Sequence, residues 1–307
     1  MTFLYKKYTF FLINQVKMNG LFLRQRASLA TISSNSVARK TLTCIGLLLI
    51  ATHFTACEKV ITLDLNAADR KYVVEAEISD KANSCSVILT QTKNFDDNNT
   101  FDGVSNAEVT VTDNNGAPIK LNQTTPGVYE ASALKGIPGH TYQLTVKVDG
   151  QTFAATSTMP ALVPFDSLYI TERTFFDETN KYATLAYTDP VGRGNAYRYI
   201  QYVNGVKEKT IFVRDDDLTD GRPIERALFF FSDDNEEDEK KLKTGDSVRV
   251  DLLTIDYNIY KYWYSLAQSS TGENQSATPG NPITNITGGA LGYFSAHTIQ
   301  SKSIVVR

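Results

Sequence analysis

TYQLTVKVDGQTFAATST, Thr141 to Thr158, is the stretch on which the reading of the fold turns. Its first half puts Tyr142, Leu144, Val146 and Val148 at every second position, so an extended chain carries all four on one face. A helix would scatter them around its circumference. Asp149-Gly150 follows, a pair that tolerates the positive φ of a two-residue hairpin turn, and the chain returns with Phe153 and Ala155 in alternation. The segment is predicted as a β-hairpin with one buried face.

The same period extends upstream. Tyr72 to Ile78 (YVVEAEI) and Val87 to Thr90 read as strands, and Ala107 to Asp113 (AEVTVTD) alternates until Asn114-Asn115-Gly116, another hairpin signal. Gly127 to Ala131 adds a further strand after Pro126. About seven short strands at regular spacing, with no helical period among them, predict an immunoglobulin-like or transthyretin-like β-sandwich over residues 72–161. Pro160 and Pro164 in MPALVPFD then interrupt the pattern, because proline cannot donate to a central ladder, and the domain boundary is placed there.

Residues 162–307 are predicted as a second β-rich domain with one short helix. Tyr182 to Tyr187, Tyr197 to Val203, Lys207 to Val213, Ala227 to Ser232 and Ser247 to Ile255 are strand-like, with Asn204-Gly205 as a turn. Asp233 to Glu239 (DDNEEDE) reads as a solvated loop, since so dense a run of carboxylates resists burial. Asp256 is placed to cap a helix from Tyr257 to Gln268, on which Tyr260, Trp263, Tyr264 and Ala267 share a face. Ser269 to Gly289 reads as a long loop, and Gly292 to Ala296 and Ser303 to Arg307 as two closing strands.

Charge divides the chain more sharply than hydropathy does. Of 31 Lys and Arg residues, seven precede Glu58, the first carboxylate in the sequence; the rest of the chain therefore holds 24 bases against 34 acids. A formal charge of −10 over that body argues against a nucleic-acid binder, which needs a basic face. Arg39-Lys40 precedes the apolar run LTCIGLLLIATHF, too short for the roughly 20 residues of a spanning helix, so residues 39–56 read as a secretory signal. It ends in Phe54-Thr55-Ala56-Cys57, similar to a bacterial lipobox with Phe in place of the usual Leu. Cys57 is the predicted lipid-bearing residue, with residues 57–71 as anchor and tether. Two or three acyl chains make a durable anchor, each buried CH₂ contributing about 0.8 kcal/mol. Residues 1–38 form an atypical extension ahead of the leader, and Met18 offers a later start.

CEKVITLDLN (Cys57 to Asn66), YVVEAEISD, the long segment from Pro126 to Pro160 and the closing GGALGYFSAHT together resemble the Bacteroidota lipoproteins grouped as domain of unknown function 4249. The resemblance implies an outer-membrane lipoprotein encoded near TonB-dependent transporters, with a role in nutrient uptake. It supplies no catalytic residues, and only Cys57 carries over. The expected function is a non-enzymatic ligand-binding or accessory subunit of such a transporter, whose partners are outer-membrane lipid and the transporter itself. The rival readings are a cell-envelope hydrolase using paired carboxylates and a structural or adhesive module. Glu58 directly follows the cysteine but Lys59 and Val60 come next, so the side of the membrane is left open.

The remaining chemistry is sparse. His140 and His297 stand outside any metal-binding spacing, no GxSxG elbow accompanies them, and no Gly-rich phosphate loop occurs. No cofactor is expected. Asp215-Asp216-Asp217 with Asp220-Gly221 suggests calcium, but the glycine is out of register for an EF-hand loop, and a solvated loop is favoured. Cys85 reads as a structural thiol. With 11% aromatic residues, the candidate ligand-stacking side chains are Tyr260, Trp263 and Tyr264, against the alternative that these rings only plug the helix onto a sheet.

Overall fold

The computed structural model of the chain describes residues 70–93, 100–132, 134–175, 177–229, 241–270 and 280–307. The leader, Cys57 and the acidic run 233–239 lie outside the described residues, and the loop expected from Ser269 to Gly289 is described only in part. All the described residues belong to one compact unit, Asp64–Arg307. None of their helices is long and apolar enough to cross a membrane.

The first half runs through β1 (Tyr72–Ser79), β2 (Cys85–Gln91), β3 (Glu108–Asp113), β4 (Ile119–Lys120), β5 (Asn122–Thr125), β6 (Val128–Ala131), β7 (Thr141–Val148) and β8 (Gln151–Thr158). The Thr141–Thr158 hairpin closes with Val148 opposite Gln151, and both turn residues take positive φ, 48° at Asp149 and 74° at Gly150. That is the turn whose twist matches the strands it joins. Tyr142, Leu144 and Val146 are almost completely buried. Burying each such side chain contributes roughly 1.5–3 kcal/mol, which fixes the register, because a one-residue slip would turn all of them outward.

The second half continues with β9 (Phe165–Phe175), β10 (Glu178–Thr188), β11 (Ala196–Val203), β12 (Val206–Lys207), β13 (Phe212–Asp215), β14 (Pro223–Ala227) and β15 (Ser247–Ile255). Helix α1 (Tyr257–Ser270) follows, then β16 (Ile286–Thr287) and β17 (Leu291–Val305). The chain is thus mainly β with one short helix. Asp256 caps α1 as expected, its Oδ1 accepting from the backbone N–H groups of Asn258 at 2.9 Å and Ile259 at 3.1 Å. The two closing strands are one: β17 is continuous for 15 residues, its middle disguised in the sequence by Gln300, Ser301, Lys302 and Ser303. The segment expected as a strand from Lys207 to Val213 is broken between β12 and β13, and β9 is a strand the sequence reading did not anticipate.

Nine strands form one large sheet, in the order β12-β11-β15-β17-β1-β2-β6-β5, with β13 also paired to β11. A five-stranded sheet, β16-β8-β7-β3-β4, packs on its first half around Val74, Ile78, Leu89, Val111, Leu144 and Phe294. A three-stranded sheet, β14-β10-β9, packs on its second half around Val163, Leu185, Tyr199, Val250 and Leu252. The predicted boundary at 161/162 lies between Met159 of the first core and Val163 of the second. β17 serves both cores, pairing in parallel with β1 over Leu291–His297 and antiparallel to β15 over Thr298–Val305. Its entry requires Gly292, whose φ is 100° and where a Cβ would stand 2.0 Å from the Val74 carbonyl oxygen. The opposite face of the large sheet receives α1, through Ile259, Tyr262, Trp263 and Tyr293.

Candidate functional site: the charged face beneath α1 and its two cavities

Alternation along β1 sends Val74, Ala76 and Ile78 into the first core and Glu75 and Glu77 to the helix side of the sheet. β17 lies in register beside them, so Tyr293, Ser295 and His297 share that face with Glu75, Glu77 and Ser79. The Tyr293 hydroxyl donates to Glu77 Oε1 at 2.6 Å. From β11, Arg198 reaches into the same cluster; it is 6% exposed, and its Cζ lies 3.3 Å from the Trp263 ring centroid. A guanidinium taken out of water is retained only where such contacts replace its hydration.

The electrostatics of the cluster are graded. Burial, the largest influence, pushes Glu77 up, but His297, the Tyr293 hydroxyl, Arg198 and Lys207 together hold it below the usual carboxylate range. Glu75 is raised, by desolvation first and by the Glu77 charge second. Burial pulls His297 down, so its ring is neutral at pH 7, and its Nδ1 lies 3.1 Å from Ser295 Oγ. Ser295, His297 and Glu77 are the residue types of a hydrolytic triad. Ser295 is 3% exposed and His297 4%, however, and neither lines either of the cavities beside the helix, so this group holds the sheet and the helix together. Glu75 and Glu77 sit side by side on one strand, whereas glycoside hydrolysis needs carboxyls facing each other across a substrate.

The helix divides its aromatic residues between two duties. Trp263 and Tyr262 point at the sheet, meeting Tyr293 at ring-centroid distances of 5.0 and 4.8 Å. The buried stripe is Ile259, Tyr262, Trp263 and Leu266, one position off the face predicted from Tyr260, Trp263, Tyr264 and Ala267, because Ile259 is the fully buried anchor. Tyr257, Tyr260 and Tyr264 instead stack in a ladder along the outer flank, with centroids 5.4 and 5.6 Å apart and planes within 30°. Tyr264 is 44% exposed. Of the three predicted stacking residues, Trp263 is occupied by Arg198, and Tyr260 and Tyr264 belong to the ladder.

Tyr264 also lines a cavity of about 400 Å³ at the edge of the large sheet. Phe212 and Arg214 of β13, Tyr264 and Gln268 of α1, Arg226 of β14 and Phe229 just beyond it close around it. Phe229 is braced edge-on by Tyr182 and Phe175, at 4.9 and 5.8 Å. A second cavity of about 330 Å³ lies across Thr210 and Ile211, lined by Arg198, Lys207, Glu208, Lys209 and Trp263. Among the described residues, the two linings bring together Arg198, Lys207, Lys209, Arg214 and Arg226 with Glu208 as their one acid, on a body of net negative charge. Sequence reasoning missed this groove, since its arginines come from β11, β13 and β14, strands of two different sheets that meet only in the fold. The one local sign was the basic, aromatic run Lys207 to Arg214.

The other predicted residues have structural duties. His140 Nδ1 lies 2.8 Å from Asp113 Oδ1, tying the start of β7 to the end of β3. Cys85 is buried, and desolvation pushes its thiol up to about 12, which makes it inert. The acids of the expected solvated loop divide: Asp217 and Asp220 are exposed, Asp220 Oδ1 accepting from Gly192 at 2.7 Å, whereas Asp216, 1% exposed, accepts from the backbone of Gly194 and Asn195. Among the described residues, no group of three or more His, Cys, Asp or Glu is arranged to hold a metal ion.

The profile of DUF4249, a domain of unknown function, matches residues 58–303. The chain belongs to the DUF4249 family. The match runs from the residue after Cys57 into β17, so the first core, α1, the two cavities and all of the second core but its last residues fall inside the DUF4249 region. A search of curated proteins found no match.

Proposed function

We propose that this DUF4249 protein is an outer-membrane lipoprotein of Bacteroidota type, held by acylated Cys57, that serves as a ligand-binding or accessory subunit of a TonB-dependent transporter in nutrient uptake. The observation that carries the binding reading is the paired cavity at the β13 edge, with its concentration of basic and aromatic side chains on an acidic body. Its volume lies within the roughly 300–1,000 Å³ range of small-molecule sites. Binding is favoured over envelope hydrolysis because Glu75 and Glu77 line neither cavity and Ser295 and His297 are sealed. The secretory run ahead of Cys57 supports the anchor, and the resemblance to lipoproteins encoded beside transporters supports the partner.

Purification of the tagged full chain from native membranes tests the reading. A TonB-dependent transporter at near-stoichiometric yield is expected, and its absence counts against the accessory role. Labelling with an alkyne fatty acid tests the anchor separately: Cys57→Ala abolishes the label, and a mutant that labels normally refutes lipidation at this residue.

A further inference from the structure

We propose that the cavity at the β13 edge binds a ring-bearing carboxylate, whose carboxyl group is held by Arg214 and Arg226 and whose ring lies against Tyr264. The inference rests on the ligand-binding reading above and names the chemistry of that site.

The argument begins with the donors. Two guanidinium groups line the cavity and, among the described residues, no carboxylate does. Arg226 Nε is buried without a hydrogen-bond partner in the described structure. A buried N–H is ordinarily paired, so this guanidinium lacks part of its usual complement of acceptors. Beside it stands Tyr199, whose hydroxyl is 2.7 Å from that of Tyr187. Two hydroxyls carry two protons, and one is used between them. With Tyr187 donating to Tyr199, the Tyr199 proton is left to donate on the cavity side, and burial raises both phenols, Tyr199 to about 12. Tyr199 and Arg226 both line the cavity. The cavity therefore offers donors and positive charge.

An arginine fork matches the planar two-oxygen edge of a carboxylate. A bare inorganic anion would leave the rest of the cavity unused, because Phe212, Phe229, Leu228, Ala267 and Tyr264 line it. Tyr264 is the last ring of a parallel ladder, and a ligand ring placed on it extends the stack. Aromatic acids and acidic sugars both combine a ring with a carboxylate, and the test separates them.

Titration calorimetry on the full chain in detergent uses benzoate and glucuronate, their neutral counterparts benzamide and glucose, and inorganic phosphate. Binding of benzoate, glucuronate or both is expected, with the neutral counterpart weaker by about tenfold or more, as loss of a charged hydrogen bond implies. Benzoate alone identifies an aromatic-acid site, and glucuronate alone an acidic-sugar site. Arg226→Gln and Arg214→Gln should each weaken the acid by about tenfold, and Tyr264→Ala should weaken it also. Arg214 is exposed, so its variant keeps the test valid if Arg226→Gln fails to fold. Equal binding of a neutral counterpart, phosphate binding as tight as the acids, an unchanged Arg214→Gln, or no binding of either acid at millimolar concentration overturns the proposal. A neutral ring bound in the cavity refutes the carboxylate while leaving the subunit reading intact; acid binding by a chain that purifies without a transporter does the reverse.

Discussion

Replacing Arg198 by methionine removes the guanidinium from the face of Trp263 and keeps most of the side chain's apolar length. Arg198 is 6% exposed, with its Cζ 3.3 Å from the Trp263 centroid, so the contact is a desolvated one worth about 2 kcal/mol. The larger loss is electrostatic. Removing one charge from a buried set costs about 3–5 kcal/mol, because the opposite charge stays behind in a poor environment. These figures overlap, since both concern one guanidinium, and Glu77 keeps its 2.6 Å bond from Tyr293. The lower end applies, about 3 kcal/mol, which for a unit of this size lowers Tm by about 6–12 °C.

The dependence on pH follows from Glu77. Its folded pKa is below the unfolded value of about 4.3, so its contribution is present above that pH and lost on acidification. In the variant, burial is less opposed and Glu77 takes up a proton at higher pH. The stability gap between the two proteins is therefore widest at pH 7 and narrows towards pH 4. Urea melts of wild type, Arg198→Met, Glu77→Gln and the double variant at pH 7 and pH 5 measure this. The double variant should be less destabilised than the sum of the singles by about 1 kcal/mol or more, as coupled sites are. A variant within about 0.5 kcal/mol of wild type, or a gap that widens in acid, refutes the reasoning.

Other substitutions examine other parts of the fold. Gly292→Ala places a Cβ 2.0 Å from the Val74 carbonyl oxygen at a φ of 100° and should cost about 3 kcal/mol or more, read as a lowered urea midpoint. His297, held neutral by burial, contributes stability that is present above its unfolded pKa of about 6.5 and lost as pH falls below it; His297→Gln should flatten that part of the pH–stability curve. Cys85 should resist a disulfide reagent such as DTNB in the native protein at pH 8 and react at once in 6 M guanidinium, whereas fast native labelling would contradict its burial.

Much of the fold was legible because local rules and tertiary demands agreed. The hairpins at Asp149-Gly150 and Asn204-Gly205 were readable from turn chemistry, and both pairs adopt positive φ. The helix was announced by Asp256 and a 3.6-residue apolar period. What stayed hidden has physical causes. β9 turns Phe165, Leu168 and Ile170 towards the second core, a spacing broken by a bulge, among Ser, Thr and Glu, so its pattern was faint. β17 passes from one core to another, and its polar middle looked like a gap. The helix stripe was misplaced by one residue because Tyr and Trp satisfy either face until the sheet supplies a partner. The groove was illegible for a different reason: Arg198 and Arg214 are brought together by strand pairing and Arg226 by the packing of a second sheet, which no window of sequence displays.

The double pairing of β17 also governs when this protein can become itself. The ladder that completes the first core joins residues 73–79 to residues 291–297, and the ladder beside it completes the second. A chain emerging from its amino end exposes Val74, Ile78 and Leu89 long before the strand that flanks them exists. Closure must await nearly the whole polypeptide, and such distant contacts make folding slow. The nascent body is therefore a natural client for chaperones, and loss of its last strand would disable both halves at once.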